Sequence, residues 1–455
     1  MIRATLLLLC VCSLWTSPAL AQGFKSNKYS IDLFTGPVLG GGGRMIGMAG
    51  AHVAIAGGID GAPYNPAGYA ERFEKEINWF AFDITGGLAL SGLLTRTDFD
   101  NNGKKNKASN AAYQVVLGTR MQFSYFGTGL TWQERRYTLS ARDSDRKFDV
   151  VIDTWRTGVG YSFLNGGLVA GATLAVYTFK VAGNTQSFPI TDFTTGKDPI
   201  GYTGFGAEFG VLIRPAHERY RFGLVGRTPV TLRPNQKERA DDDGIRRAQG
   251  LVLPDSAHVP WELAWGVAYQ FGERRTNIPW RNTQRLRKDL YAQIANGTYQ
   301  TPPRYGEAAY QALPEDPDQA LDVAMANYRE AERRYRRHQP RRYVLLAADM
   351  IVTGKTSNGN GLESFLDQVP ERSGQKISYG VRVGVESEIW PDRMKVRAGS
   401  YLEPSRFERS YYRPHGTAGV EARLFDFWRW SARGTATLDV APRYYNWGIA
   451  IGLWW

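Results

Sequence analysis

Along most of this chain apolar and polar residues alternate with period two, the signature of a β-strand with one greasy and one wet face. The alternation is cleanest in the last third. Over residues 376–388, Ile377, Tyr379, Val381, Val383 and Val385 share one face, and Lys376, Ser378, Gly380, Arg382, Gly384, Glu386 and Glu388 the other. Val396 and Ala398 oppose Lys395 and Arg397, and Ala418, Val420, Ala422 and Leu424 oppose Glu421 and Arg423. Trp428, Trp430, Ala432, Ala436, Leu438 and Val440 continue the pattern against Arg429, Ser431, Arg433, Thr435, Thr437 and Asp439. A slip of one residue would exchange the faces, so register is tightly specified. Turn signals divide the pattern into fourteen runs, at 75–90, 111–125, 127–140, 146–163, 167–182, 199–214, 219–233, 258–271, 341–354, 375–389, 393–403, 413–424, 428–440 and 443–455.

Composition decides what those strands build. With 22% charged residues and no apolar run of about 20 residues after the first 21, spanning helices are excluded. A closed membrane barrel hides its apolar signal on every second position, and 50 glycines, 24 tyrosines and 13 tryptophans suit one with aromatic girdles at both interfaces. An Arg or Lys turned toward lipid at mid-depth costs about 2–4 kcal/mol, so the charged faces belong inside. Arg120, Arg135, Arg156, Glu208, Glu262, Arg382, Glu421 and Arg433 are the expected lumen-facing residues. An even strand count puts both ends in the periplasm. Tight turns after even strands, such as Asn165-Gly166-Gly167, and longer polar loops after odd ones, at 91–110, 183–198, 234–257 and 355–374, fit that orientation.

The start of the chain is consistent with export: Arg3, an apolar stretch from Ala4 to Trp15, and a small-x-small site at Ala19-Leu20-Ala21. Cleavage there removes Cys10 and Cys12 and leaves a mature chain without thiols, so disulfides and cysteine chemistry are not expected. The expected compartment is the outer membrane of a Gram-negative bacterium. The formal charge of +12 is spread among the strands and matches no nucleic-acid motif. The five histidines, His52, His217, His258, His338 and His415, lack zinc spacing and read as surface or loop residues; no metal or cofactor is expected. His258 and His415 fall near an outer rim, but no nucleophile is identifiable beside them, and the chain is not expected to be an enzyme.

One connection is too long for a periplasmic turn. Residues 272–340 read as a helical insertion, with Asn282 capping a helix that runs to Asn296 and Gly297 just beyond it. Asp316-Pro317 opens a second helix on which Leu321, Met325, Tyr328 and Tyr335 align. Its basic end, Arg333, Arg334, Arg336 and Arg337, favours the helix dipole without a partner. The insertion is either a cover for the barrel mouth or a docking module for a periplasmic protein.

The N-terminal segment, residues 40–72, carries Arg44, then Gly47, Met48, Ala49, Gly50 and Ala51, and later Asn65-Pro66-Ala67-Gly68. Small residues pack closely, and Asn-Pro ahead of Ala-Gly favours a sharp turn. This segment closely resembles the N-terminal plug of the FadL-type outer-membrane transporters, which carry long-chain fatty acids and other hydrophobic molecules. Residues 396–401 with Glu403-Pro404 are similar to a second stretch of that family. The resemblance implies a 14-stranded antiparallel transmembrane β-barrel, all-β, with an N-terminal plug, to which the periplasmic helical insertion read above is added. It implies a hydrophobic small-molecule ligand, captured outside and released sideways, and a plug motif at Arg44, Gly47, Gly50, Asn65, Pro66 and Ala67 whose movement gates passage. The domains are then a signal peptide at 1–21, a plug at 22–74, strands at 75–271, the insertion at 272–340 and strands at 341–455. The final strand, ending in Trp455, resembles the terminal aromatic strand read by the barrel-assembly machinery, though phenylalanine is usual. The outer loops look modest and polar, without the apolar helical loops of the fatty-acid transporters, and charged walls do not suit an axial path for a hydrophobic ligand. PorV-like barrels share the plug and fold but act as shuttles or scaffolds in protein secretion and surface attachment. A general diffusion porin fits the charged lumen, and the plug argues against it.

Overall fold

The structure, a computed structural model, describes the chain except residues 1–22, 35–42, 73–77, 92–96, 99, 105–111, 141–146, 185–199, 236–240, 275, 281, 303–309, 338–339, 341, 409–410, 428–429 and 455. The signal-peptide and Trp455 expectations lie outside the described residues. Fourteen antiparallel strands form the wall: β1 Phe80–Ser91, β2 Ala112–Phe123, β3 Phe126–Ser140, β4 Lys147–Phe163, β5 Leu168–Asn184, β6 Ile200–Ile213, β7 Tyr220–Arg227 continuing at Val230–Pro234, β8 Ser256–Val259 continuing at Glu262–Gly272, β9 Tyr343–Thr353, β10 Ser378–Trp390, β11 Met394–Glu403, β12 Arg413–Phe427, β13 Trp430–Ala441 and β14 Tyr444–Leu453. Thr85 to Ser91 of β1 pair with Gly452 to Asn446 of β14, closing the barrel.

On the outer face Ile84, Leu117, Leu130, Leu174, Leu224, Val267, Val383 and Ile449 are exposed, as lipid contact requires. An aromatic row marks the periplasmic side, with Trp79, Phe80 and Phe123 clustered, Tyr161 beside Phe163, Tyr220 beside Phe222, Tyr269 beside Phe271 and Phe425 beside Phe427. Trp132 stacks on Trp155 at 5.7 Å toward the outer side. Beyond that pair the strands invert their polarity. Phe148, Val150 and Ile152 of β4 turn inward, while Asp149 accepts from Thr138 at 2.7 Å and Asp153 lies 3.7 Å from Lys180 on the other face. A polar outside and an apolar inside are what a strand needs once it leaves lipid for water.

The expectation of two unbroken runs at 219–233 and 258–271 needs correcting. β7 and β8 are interrupted at Thr228-Pro229 and Pro260-Trp261, and the shared register, Arg227 with Glu262 and Val230 with Val259, sets the two prolines opposite each other. Neither can donate to a ladder. Both strands change phase there: Leu224 and Leu263 face out below the break, whereas Val230, Leu232 and Ala257 face in above it.

Beside the upper piece of β8 lies the N-terminal strand Ser30–Asp32. It pairs in parallel with Ser256–His258 on one side and with Gly359–Asn360 on the other. The chain then descends inside the barrel through α1 Gly43–Gly47, α2 Gly58–Gly61 and a 3-10 turn at Pro66–Tyr69. On the periplasmic side, α3 Thr283–Ala295, capped by Asn282, packs on α4 Pro317–Arg337 through Leu290, Leu321, Ala324 and Met325. Loop helix α5, Leu362–Asp367, sits at the outer end.

Candidate functional site

The plug turn is held from both sides. Asn65 Oδ1 accepts from Ala67 N at 3.0 Å, while its Nδ2 donates to Val53 O at 2.8 Å and to Val211 O of β6 at 3.1 Å. One side chain thus caps the turn, joins it to the preceding plug loop and ties it to the wall. Pro66 opens the 3-10 turn, where its lack of N–H costs nothing. Glycines in the wall make the approach possible. A Cβ at Gly210 would lie 2.1 Å from Asn65 Oδ1, and one at Gly171 would lie 2.2 Å from Pro66 O. At the other end of the plug, Gly47 packs on Arg397 and Gly419, and Gly50 takes φ +70 where α1 ends.

Around this seat the wall offers charge. Arg44 forms a two-pronged pair with Glu386, 2.8 Å at each contact, and Arg397 reaches the same carboxylate at 2.6 Å. Glu421 receives Arg397 and Arg433, each at 3.1 Å, and Arg433 also pairs with Asp60 of α2. Arg120 donates to Gly68 O at 2.7 Å and Glu71 O at 2.6 Å. Asp349 accepts from the amides of His52 and Val53 at 2.6 and 2.9 Å. His52, expected at a surface, is wholly buried in the plug; burial, then the nearby Arg44, push its pKa well below the usual histidine value. A cavity of about 120 Å³ remains under the plug, lined by charged groups including Arg44, Asp60, Glu386, Arg397, Glu421 and Arg433.

Above the plug a second cavity of about 180 Å³ reaches the β7/β8 break, where Thr228, Val230, Val259 and Pro260 line it with Leu33 and Phe34 of the N-terminal segment. Its floor holds the remaining expected residues. Arg156 pairs with Glu208 at 3.0 Å, Glu262 pairs with Arg227, and Arg135 and Arg382 line the same space. Arg227 donates to Pro63 O and Tyr64 O at 2.8 and 3.0 Å, fastening the plug from above. The eight charged residues therefore fall into two groups: Arg120 and Arg433 grip the plug, with Glu421 paired to Arg433 behind it, and Arg135, Arg156, Glu208, Glu262 and Arg382 surround the chamber over it.

The interior of the outer half is apolar where the lower part is charged. Tyr137, Leu139, Phe148, Val150, Phe179, Val181 and Tyr202 of the wall pack into an apolar layer with Tyr29, Ile31 and Leu33 of the N-terminal segment. The outer loops are not simply polar either: α5 contributes Leu362, Phe365 and Leu366, and the loop after β7 contributes Leu251, Val252 and Leu253. Asp32 locks this cap. Arg406 pairs with it at 2.9 Å, and the hydroxyls of Thr356 and Ser373 each donate at 2.9 Å, drawing two outer loops onto the N-terminal strand. His415 is not at an open rim but buried between Glu403 and Asp439, 2.8 Å from each. His258 faces outward at the upper piece of β8. Sequence reading missed the N-terminal strand, a three-residue segment with no alternating run; the phase reversal near Asp153 to Trp155 was its available signal for the apolar layer.

No protein-family model matches the chain, and no curated protein sequence does. Among solved structures it is similar to a Pseudomonas aeruginosa FadL homologue, at a TM-score of 0.51 and 12% identity over 92% of this chain and 98% of that one. It is also similar to the CymD monoaromatic hydrocarbon channel (TM-score 0.49, 10% identity, 91% and 97% covered) and to the Ralstonia pickettii toluene transporter TbuX (0.48, 10%, 91% and 98%). Fourteen strands closed around an N-terminal plug, matched over nearly the whole of both chains, give this protein the fold of the FadL-type outer-membrane barrels.

Proposed function

We propose that this protein admits hydrophobic small molecules across the outer membrane and releases them sideways through the wall. The observation that carries the reading is the sequence of environments along the barrel axis: an outer layer of packed apolar side chains, a chamber of about 180 Å³ that reaches the broken stretch of β7 and β8, and a charged, plug-filled layer below. A chamber of about 150 Å³ holds one aromatic ring, whereas the charged layer would strip an apolar molecule of every favourable contact. A sideways path into lipid at the proline break avoids that cost. The four guanidiniums of Arg135, Arg156, Arg227 and Arg382 against the carboxylates of Glu208 and Glu262 favour a ligand with an acid group, such as a long-chain fatty acid, over a neutral hydrocarbon. The fold shared with the FadL homologue agrees with the broader class of hydrophobic ligands.

Uptake of labelled oleate and labelled toluene by cells carrying the barrel, compared with cells lacking it, tests the reading. Oleate uptake that falls in Arg382→Ala supports the acid preference; toluene uptake alone rejects it; no uptake of either rejects transport. The competing scaffold function, PorV-like, draws on the α3–α4 hairpin, which has a small core of its own and stands on the periplasmic side. A secreted protein that co-purifies with the intact barrel and is lost on deleting residues 283–337 would favour it. In either role the barrel meets outer-membrane lipids and depends on the assembly machinery.

A further inference from the structure

The phase change at Pro229 and Pro260 has a chemical result on the outside of the barrel. Val230, Leu232 and Ala257 are turned into the apolar layer, so the residues between and beside them, Thr231, Ser256 and His258, point outward. Thr231 is exposed, and Ser256 and His258 are partly so. Ser256 Oγ lies 3.0 Å from His258 Nε2, and His258 Nδ1 lies 3.1 Å from Thr231 Oγ1. Ser256 and His258 are two apart on one strand, and Thr231 is directly across the ladder from His258. With the proton on Nδ1, that N–H donates to the threonine hydroxyl, and Nε2 is free to accept from the serine: a nucleophile, a base and a group that orients the base. On the other flank, Asp32 sits in register with His258 and is already paired with Arg406.

The depth of this group suits an acyl lipid. From Tyr269, in the periplasmic aromatic row, to His258 is a span of eleven residues, or about 29 Å along the membrane normal at about 3.4 Å per residue and a tilt of about 40°. The apolar band is about 25 Å tall. The three side chains therefore stand at the outer interface, where the ester bonds of outer-leaflet lipids lie. Phe205, exposed to lipid on β6, is two residues from Thr203, which pairs with Arg233, two residues from Thr231.

We propose that Ser256, His258 and Thr231 form a hydrolytic group on the outer wall that cleaves carboxylic esters of acyl lipids. Ser256 Oγ bonds to the ester carbonyl carbon as its proton passes to His258 Nε2. The carbon–oxygen bond to the alcohol breaks, and the departing alkoxide takes that proton. Water then attacks the acyl-serine, giving its proton to His258; the acid leaves, and Ser256 regains its proton. Thr231 is a positioning residue, acting through the imidazole.

The test uses the full-length barrel in detergent micelles, with p-nitrophenyl octanoate and a diacyl phosphatidylethanolamine as substrates and a fluorophosphonate as a serine probe. The expected results are phosphonylation mapped by mass to Ser256 and release of nitrophenol and fatty acid. Both are lost at least 100-fold in Ser256→Ala and His258→Asn, each still showing heat-modifiable migration as a folded barrel. Thr231→Val should lower kcat about tenfold at unchanged KM, and Thr231→Asn, which keeps an acceptor, should restore most of it. Turnover or labelling that persists in folded Ser256→Ala overturns the proposal, as does no release above that variant, which would leave the two contacts as mutual satisfaction of polar groups on neighbouring strands.

Discussion

The inner and outer halves of the barrel are built from the same strands yet hold their contents by opposite means. In the inner half the wall presents Glu386, Arg397, Glu421 and Arg433, and the plug answers with Arg44 and Asp60. In the outer half the wall presents Phe148, Val150, Phe179 and Tyr202, and the N-terminal segment answers with Tyr29, Ile31 and Leu33. The membrane explains the difference. Inside the bilayer the outward face must be apolar, which leaves the inward face for polar residues that a polar plug can satisfy; above the bilayer water takes the outward face, and burial of apolar area becomes the driving force. Wall glycines complete the inner half, since Gly171 and Gly210 let the Asn65-Pro66 turn approach where no side chain would fit.

The contrast can be broken first on the charged side. Glu386→Gln removes the carboxylate shared by Arg44 and Arg397, stranding Arg44 and leaving Arg397 with Glu421 alone, so urea unfolding in detergent should show a loss of about 3–5 kcal/mol. An unchanged midpoint would mean that steric fit, not ion pairing, retains the plug. On the apolar side, Ile31→Ala, at a wholly buried position, should cost about 2–4 kcal/mol and expose the N-terminal segment to protease on intact cells while the plug stays protected. Simultaneous exposure of the plug would show the two halves to be one unit. Between them, Asn65→Ala removes the cap and the tie to Val211 and should cost about 1 kcal/mol. If the tie also holds the plug in one state, uptake of oleate changes while surface level does not.

The smallest effect concerns Asp100 in the loop after β1, whose pKa is raised well above the usual carboxylate value by burial and then by the charges of Glu363 and Asp98. A carboxyl raised in the folded state stabilises it below the ordinary pKa near 3.8, and that contribution is lost as pH rises through the raised value. Asp100→Asn should therefore stabilise the outer cap at neutral pH by about 0.5 kcal/mol or less, with the difference vanishing in acid. A variant that is less stable at pH 7 would reverse the sign and show that Asp100 serves the loop as a charge.

The strand order and most strand limits were legible because lipid enforces alternation: the C-terminal strands, with Val381 and Val383 out and Arg382 and Glu386 in, could be placed from sequence alone. The two helices of the insertion were legible through the Asn282 cap and the Asp316-Pro317 start. What sequence hid depends on the third dimension. Extending the phase of β8 outward from Leu263 puts His258 on the inner face, and only the paired prolines turn it outward. Extending the charged inner face of β4 beyond Arg156 likewise misses the apolar layer, because the inversion occurs without any break in the strand.

The N-terminal strand gives the plug a second anchor at a different depth. Residues 30–32 are stitched into the wall at the outer end, by parallel pairing with Ser256–His258 and Gly359–Asn360, whereas Asn65 is tied to Val211 deep inside. Loosening either contact leaves the other in place, so the segment can give way at one level of the barrel while it stays seated at the other.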